Sequence, residues 1–313
     1  MQRPSDQSWN KIIPDIAAQS FVVPRSIVES ITSLDCALFR EPGRESDLES
    51  SLDPNGDLSR EIRRWSSGYL DRILSSPGLV LFKLPGDLSD EQLRAGYFLV
   101  SRSLGTLNDR YGYLFDVKDR GLDYTKEAVP VSKTRASTGF HTDSTAREYV
   151  PDIVGLLCID PGSRGGESLV VNAVDLYDFI RSVEPRFIEL LSRPLYRDVI
   201  TPGTVQDVEA ILRNRFPVFH LTDEGLTCRY MRFWIETAYQ KTGEKMPEGL
   251  PEALDLVDSY LNDPGNQLMF QLRRGDVFYT NNRILCHSRT AFEDDPENNK
   301  IRLLVRAWID LPD

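Results

Sequence analysis

Between Asn55 and Ser76 the apolar residues Leu58, Ile62, Trp65, Tyr69, Leu70, Ile73 and Leu74 recur at three- and four-residue steps, which predicts an amphipathic helix with one buried stripe. A short apolar run at 79–82, bracketed by Pro77-Gly78 and Pro85-Gly86, predicts a strand. Ser89 with Gln92 three residues on predicts a capping box opening a helix to about Leu104. From 106 to 140 every period is broken by Asn108, Asp109, Asp116, Asp119, Gly121 and Pro130, while Phe115 and three tyrosines supply apolar surface. That pattern predicts a partly buried lid or binding loop. Beyond 150 the runs 153–159, 167–172, 226–230, 267–272, 277–280 and 301–309 read as short strands cut by turn pairs, with helical stretches at about 173–193 and 247–262. Many short punctuated strands predict an antiparallel sandwich or barrel.

The composition narrows the function. With 37 Lys plus Arg against 48 Asp plus Glu the net charge is −11, and no basic run exceeds a pair, so nucleic acid is not an expected partner. No apolar stretch approaches the roughly 18 to 20 residues of a membrane span or forms a signal peptide, which predicts a cytoplasmic protein without membrane association. Cys36, Cys158, Cys228 and Cys286 lack CxxC spacing and are expected reduced and partly buried. The oligomeric state stays open.

Only three histidines can carry imidazole chemistry: His141, His220 and His287. His141-Thr142-Asp143 would put an imidazole and a carboxylate on one face of an extended segment, although a surface His near an Asp reads equally well at this point. His287 ends an apolar run that follows a tight turn at Asn281-Asn282. In the terminal strand the odd positions 301 to 309 are all apolar, whereas Arg302, Leu304, Arg306 and Trp308 share the other face, with the two guanidinium groups about 13 Å apart at roughly 3.3 Å per residue. Such a face either meets water or lines an interior where arginine needs an anion. Two histidines and one carboxylate form the facial triad of non-haem Fe(II) oxygenases.

Taken in order, HTD (141–143), GGES (165–168), GDVFYTNNRILCHSRTAF (275–292) and RLLVRAW (302–308) resemble the Fe(II)/2-oxoglutarate-dependent oxygenases of the taurine dioxygenase and clavaminate synthase-like superfamily. The resemblance covers about 78–311. It implies a mainly β fold with flanking helices: a double-stranded β-helix, the cupin-like jelly-roll. The whole chain, 1–313, would be one oxygenase domain, with a helical N-terminal extension at 1–77, the core at 78–311, a lid-like segment at 106–140 and an insertion at about 173–265. It further implies that His141, Asp143 and His287 hold Fe(II) and are the catalytic set, and that Arg302 binds the distal carboxylate of 2-oxoglutarate. Ser168 stands where relatives carry a helping Thr. Arg306 would meet an acidic group of the substrate or else form a structural salt bridge within the barrel, Thr138 and Phe140 would line the substrate pocket, and His220 would be structural. The implied reaction takes O2 and 2-oxoglutarate, hydroxylates an unactivated C–H of a small amino-acid-like or biosynthetic substrate, and releases succinate and CO2. Desaturation, epoxidation and cyclisation share the same ligands. A zinc hydrolase or a non-catalytic cupin-like metal protein is the reading from another class, and the hydrolase has no need of Arg302 with Ser168.

Overall fold

The computed structural model describes residues 6–40, 56–110, 112–121, 137–198 and 207–312. Along the chain, the strands of the two principal sheets are β1 (Ser20–Val22), β2 (Leu79–Lys83), β3 (Thr106–Leu107), β4 (Phe115–Val117), β5 (Thr138–His141), β6 (Ile153–Asp160), β7 (Ser168–Asn172), β8 (Leu268–Phe270), β9 (Asp276–Asn281), β10 (Leu285–Arg289) and β11 (Leu303–Asp310). The larger sheet runs β1-β2-β9-β6-β11-β3 with β4 also on β11, and the smaller runs β8-β7-β10-β5. Only β1 and β2 pair in parallel; the other pairings are antiparallel. This is the antiparallel sandwich expected from the punctuated strand pattern, in the jelly-roll form that the family resemblance implies.

The helices are α1 (Arg25–Thr32), α2 (Asp57–Leu74), α3 (Asp90–Leu104), α4 (Ala173–Val183), α5 (Pro185–Leu191), α6 (Val208–Arg213), α7 (Arg232–Thr242) and α8 (Leu250–Leu261). Strand alternation decides where each packs. Ile153, Leu157, Val277, Tyr279, Val305, Ala307 and Ile309 point outward from the larger sheet onto α1, α2 and α3. Their neighbours Leu156, Phe278 and Leu304 point inward, toward the smaller sheet and the helices after β7. The capping box at Ser89 and Gln92 forms, each side chain bonding the other residue's backbone N–H, so α3 starts where the sequence places it.

Several elements differ from expectation. The stretch 173–193 is two helices, because Pro185 has no N–H to continue the ladder of α4 and starts α5 instead. The run 226–230 is the shorter strand Gly225–Cys228, hairpinned with Phe219–Thr222, on which His220 is exposed. Helix α7 follows it without an apolar period clear enough to have been read from sequence. Segment 1–77, read as a helical extension, also adds β1 to the edge of the larger sheet.

Gly155 makes close packing on β6 possible. A Cβ there would lie 2.6 Å from Tyr97 Oη and 2.8 Å from Tyr279 Cε1, both rings being fully buried between α3 and the sheet. Gly155→Ala is therefore expected to destabilise the fold by about 1 to 3 kcal/mol. Urea unfolding that leaves the midpoint unchanged would contradict this packing.

Candidate active site

Three adjacent strands of the smaller sheet build one wall of the site. His141 on β5 stands opposite His287 on β10, which stands opposite Val170 on β7. Directly opposed residues in antiparallel strands share a face, and the two imidazole centroids are 4.4 Å apart. The next row is Thr138, Arg289 and Ser168. Between the rows β5 spends one residue more than β10, a bulge that shifts the register. Thr138 consequently lines the cavity, whereas Phe140 packs into the hydrophobic core and is not among the cavity-lining residues.

Asp143 arrives by a different route from the one strand alternation suggests. Strand β5 ends at His141 and the chain turns. Thr142 N–H donates to Tyr230 O (3.0 Å), Asp143 N–H donates to Asn282 Oδ1 (2.7 Å), and Asn282 Nδ2 donates back to Asp143 O (3.2 Å). Asn282, fully buried in the turn before β10, thus ties the first ligand segment to the second across 139 residues of sequence.

The carboxylate oxygens of Asp143 have separate surroundings. Oδ1 faces His141 Nε2 at 3.7 Å and His287 Nε2 at 3.6 Å. Oδ2 accepts from Arg306 Nη1 at 3.1 Å and Trp308 Nε1 at 2.6 Å. Burial alone would raise the Asp143 carboxyl, but Arg306 and the two imidazoles outweigh it and hold it well below the usual carboxylate range. Burial, with His287 beside it, lowers His141 to about 4, so its imidazole is neutral near pH 7. Its Nδ1–H donates to Gly139 O at 2.9 Å, which leaves the Nε2 lone pair toward Asp143. Ligand atoms from His141, Asp143 and His287 all lie within 4.8 Å of one another, the arrangement a single metal ion requires.

The cavity around them has a volume of about 770 Å³ including its open mouth. Inward-facing Leu156, Phe278, Leu304 and Arg306 of the larger sheet form the opposite wall, and Val117 of β4 borders it. Arg302 precedes β11, after which a register shift separates Leu303 from Leu304, yet its side chain reaches the same cavity. It is 3% exposed, its Nη1 has no hydrogen-bond partner, and burial lowers its guanidinium to about 10. Gly166 makes room for it, since a Cβ there would meet Arg302 Nε at 2.8 Å. Arg289 reaches the cavity as well, and burial together with Arg302 lowers it to about 9. Both guanidiniums pack on Phe292, at 4.6 and 4.9 Å from the ring centroid. Sequence reasoning overlooked Arg289, although its position two residues after His287 on one strand carried the signal.

The sequence profile of the taurine catabolism dioxygenase TauD, TfdA family matches residues 45–308. The chain belongs to this family. Among TauD/TfdA relatives, FR-33289 synthase of Streptomyces rubellomurinus is 28% identical over 223 residues, which is 68% of this chain and 62% of the synthase. Uridine-5'-phosphate dioxygenase of a Streptomyces species is 31% identical, over 57% of this chain and 63% of that enzyme. The match therefore spans less than two thirds of the length of either. The crystal structure of an asparagine oxygenase with Fe(II), hydroxyasparagine and succinate shares the fold, with a TM-score of 0.63 and 15% identity over 93% of each chain. Among the described residues, no helix of this TauD/TfdA member is long and apolar enough to cross a membrane.

Proposed function

We propose that the chain is an Fe(II)- and 2-oxoglutarate-dependent dioxygenase that hydroxylates an unactivated C–H of a small amino-acid-like or natural-product substrate. One observation carries the reading: Arg302, a buried guanidinium whose Nη1 has no hydrogen-bond partner, opens into the same cavity as a two-histidine, one-carboxylate cluster. A desolvated cation costs several kcal/mol unless an anion meets it, so the cavity is built for an anionic ligand beside a metal. The donor set, two imidazole nitrogens and one carboxylate oxygen with room left around them, fits Fe(II).

His141, Asp143 and His287 would hold the metal through Nε2, Oδ1 and Nε2. Arg302, helped by Ser168, would take the distal carboxylate of 2-oxoglutarate. When bound, iron and 2-oxoglutarate supply O2 activation and transfer of one oxygen atom, with release of succinate and CO2. The protein's part is to orient and to exclude water. Arg306 commits Nη1 to Asp143, and its remaining N–H donors would face an acidic group of the substrate above Thr138. Of the segment 106–140, expected as a lid, 106–107, 115–117 and 138–140 belong to strands β3, β4 and β5 of the two sheets, with Val117 at the cavity, while 111 and 122–136 lie outside the described residues.

The test is anaerobic addition of Fe(II) and then 2-oxoglutarate. A visible charge-transfer band is expected, followed by succinate release that rises with the correct member of a substrate panel. Absence of the band at saturating concentrations of both would overturn the assignment.

A further inference from the structure

Arg306 and Trp308 are two residues apart on β11, so they share its inward face, and both donate to the same carboxylate oxygen, Asp143 Oδ2. The indole is also packed against the guanidinium, with Arg306 Cζ 4.6 Å from its centroid. The Trp308 N–H makes the shorter of the two bonds, 2.6 Å against 3.1 Å. On the backbone side Asn282 holds both the N–H and the carbonyl of Asp143. A carboxylate pinned at its backbone and at one oxygen has lost its rotational freedom about Cβ–Cγ. Only Oδ1 remains turned toward the two Nε2 atoms.

We propose that Trp308 is a positioning residue that makes Asp143 a one-oxygen ligand. The inference rests on the metal-site reading above. Without the indole N–H, Arg306 alone would restrain Oδ2 over a longer bond, and the carboxylate could turn both oxygens toward the metal. That would take a coordination position the reaction needs and would misplace the remaining ligand oxygen. Partners of metal ligands of this kind commonly govern affinity or activity by 10- to 100-fold.

The test compares wild type with Trp308→Phe, which keeps an aromatic ring beneath Arg306 and deletes the donor. Replacing residue 308 with 3-benzothienylalanine keeps the bicyclic shape and lacks only the N–H, so it decides the matter if the phenylalanine variant misfolds. Anaerobic titration with Mn(II) and with Fe(II), thermal melting without metal, and the charge-transfer band with 2-oxoglutarate are read for each protein. Expected are an unchanged melting temperature, metal affinity weakened by about tenfold or more, and a displaced band. Wild-type affinity and band position in the benzothienyl protein would overturn the role of Trp308. If wild type binds Mn(II) but gives no band with Fe(II) and 2-oxoglutarate, the dioxygenase reading fails, and the Mn(II) affinities alone still decide for or against Trp308.

Discussion

Replacing either His141 or His287 with alanine is expected to abolish succinate formation and remove tight Fe(II) binding while the protein stays folded. The two imidazoles face each other across the β5–β10 pair and, with Asp143 Oδ1, form the sole three-residue cluster of this kind among the described residues. Loss of one leaves a single imidazole beside Asp143 Oδ1, which weakens the hold on an ion that must also bind its co-substrate. The fold survives because both side chains project from the sheet toward the cavity and remain about one-fifth exposed, 21% and 19%. The measurement pairs anaerobic Fe(II) titration with succinate assays at saturating 2-oxoglutarate. Full turnover in either variant sinks the ligand assignment.

Arg302→Leu is expected to raise the 2-oxoglutarate concentration needed for turnover by roughly 30-fold or more, since removing one partner of a buried charge-assisted pair costs about 2 to 5 kcal/mol and each 1.4 kcal/mol is about tenfold. The same substitution leaves the melting temperature of the ligand-free protein unchanged or raises it. Arg302 is a buried cation whose Nη1 lacks a partner, and exchanging an uncompensated charge for an apolar side chain is neutral or stabilising. Arg306→Leu has a different signature. It withdraws a charged donor from Asp143, so Fe(II) affinity and substrate-triggered turnover fall, whereas the 2-oxoglutarate requirement measured at saturating iron changes little. Titrations of both variants against 2-oxoglutarate and Fe(II) separate the cases. The opposite pattern would mean that the two arginines have exchanged roles.

Features carried by short-range periodicity were readable from the chain alone. The alternation of 301 to 309 assigned Arg306 and Trp308 to one face, and from Leu304 on it held, because Val305, Ala307 and Ile309 are buried against the helices and a one-residue slip would turn that apolar set inside out. The capping box of α3 and the breaks at Pro–Gly pairs are equally local. The triad's composition was legible too, but through the ordered motifs at 141–143 and 275–292 that carry the family resemblance. What depends on register between distant strands had to come from the fold. His141 and His287, 146 residues apart, meet because β10 lies between β5 and β7, and the bulge in β5 sends Phe140 to the core while keeping Thr138 at the cavity. Four cysteines that look scattered include two, Cys228 and Cys286, whose sulfurs end 3.8 Å apart. Asp143 reaches the metal position from a turn tied down by Asn282, and its second oxygen is claimed by Arg306 and Trp308. Local sequence sets which side chains a strand can present to a face; only the pairing of strands far apart in the chain sets which of them touch, because contact geometry belongs to the closed sheets and not to any one segment.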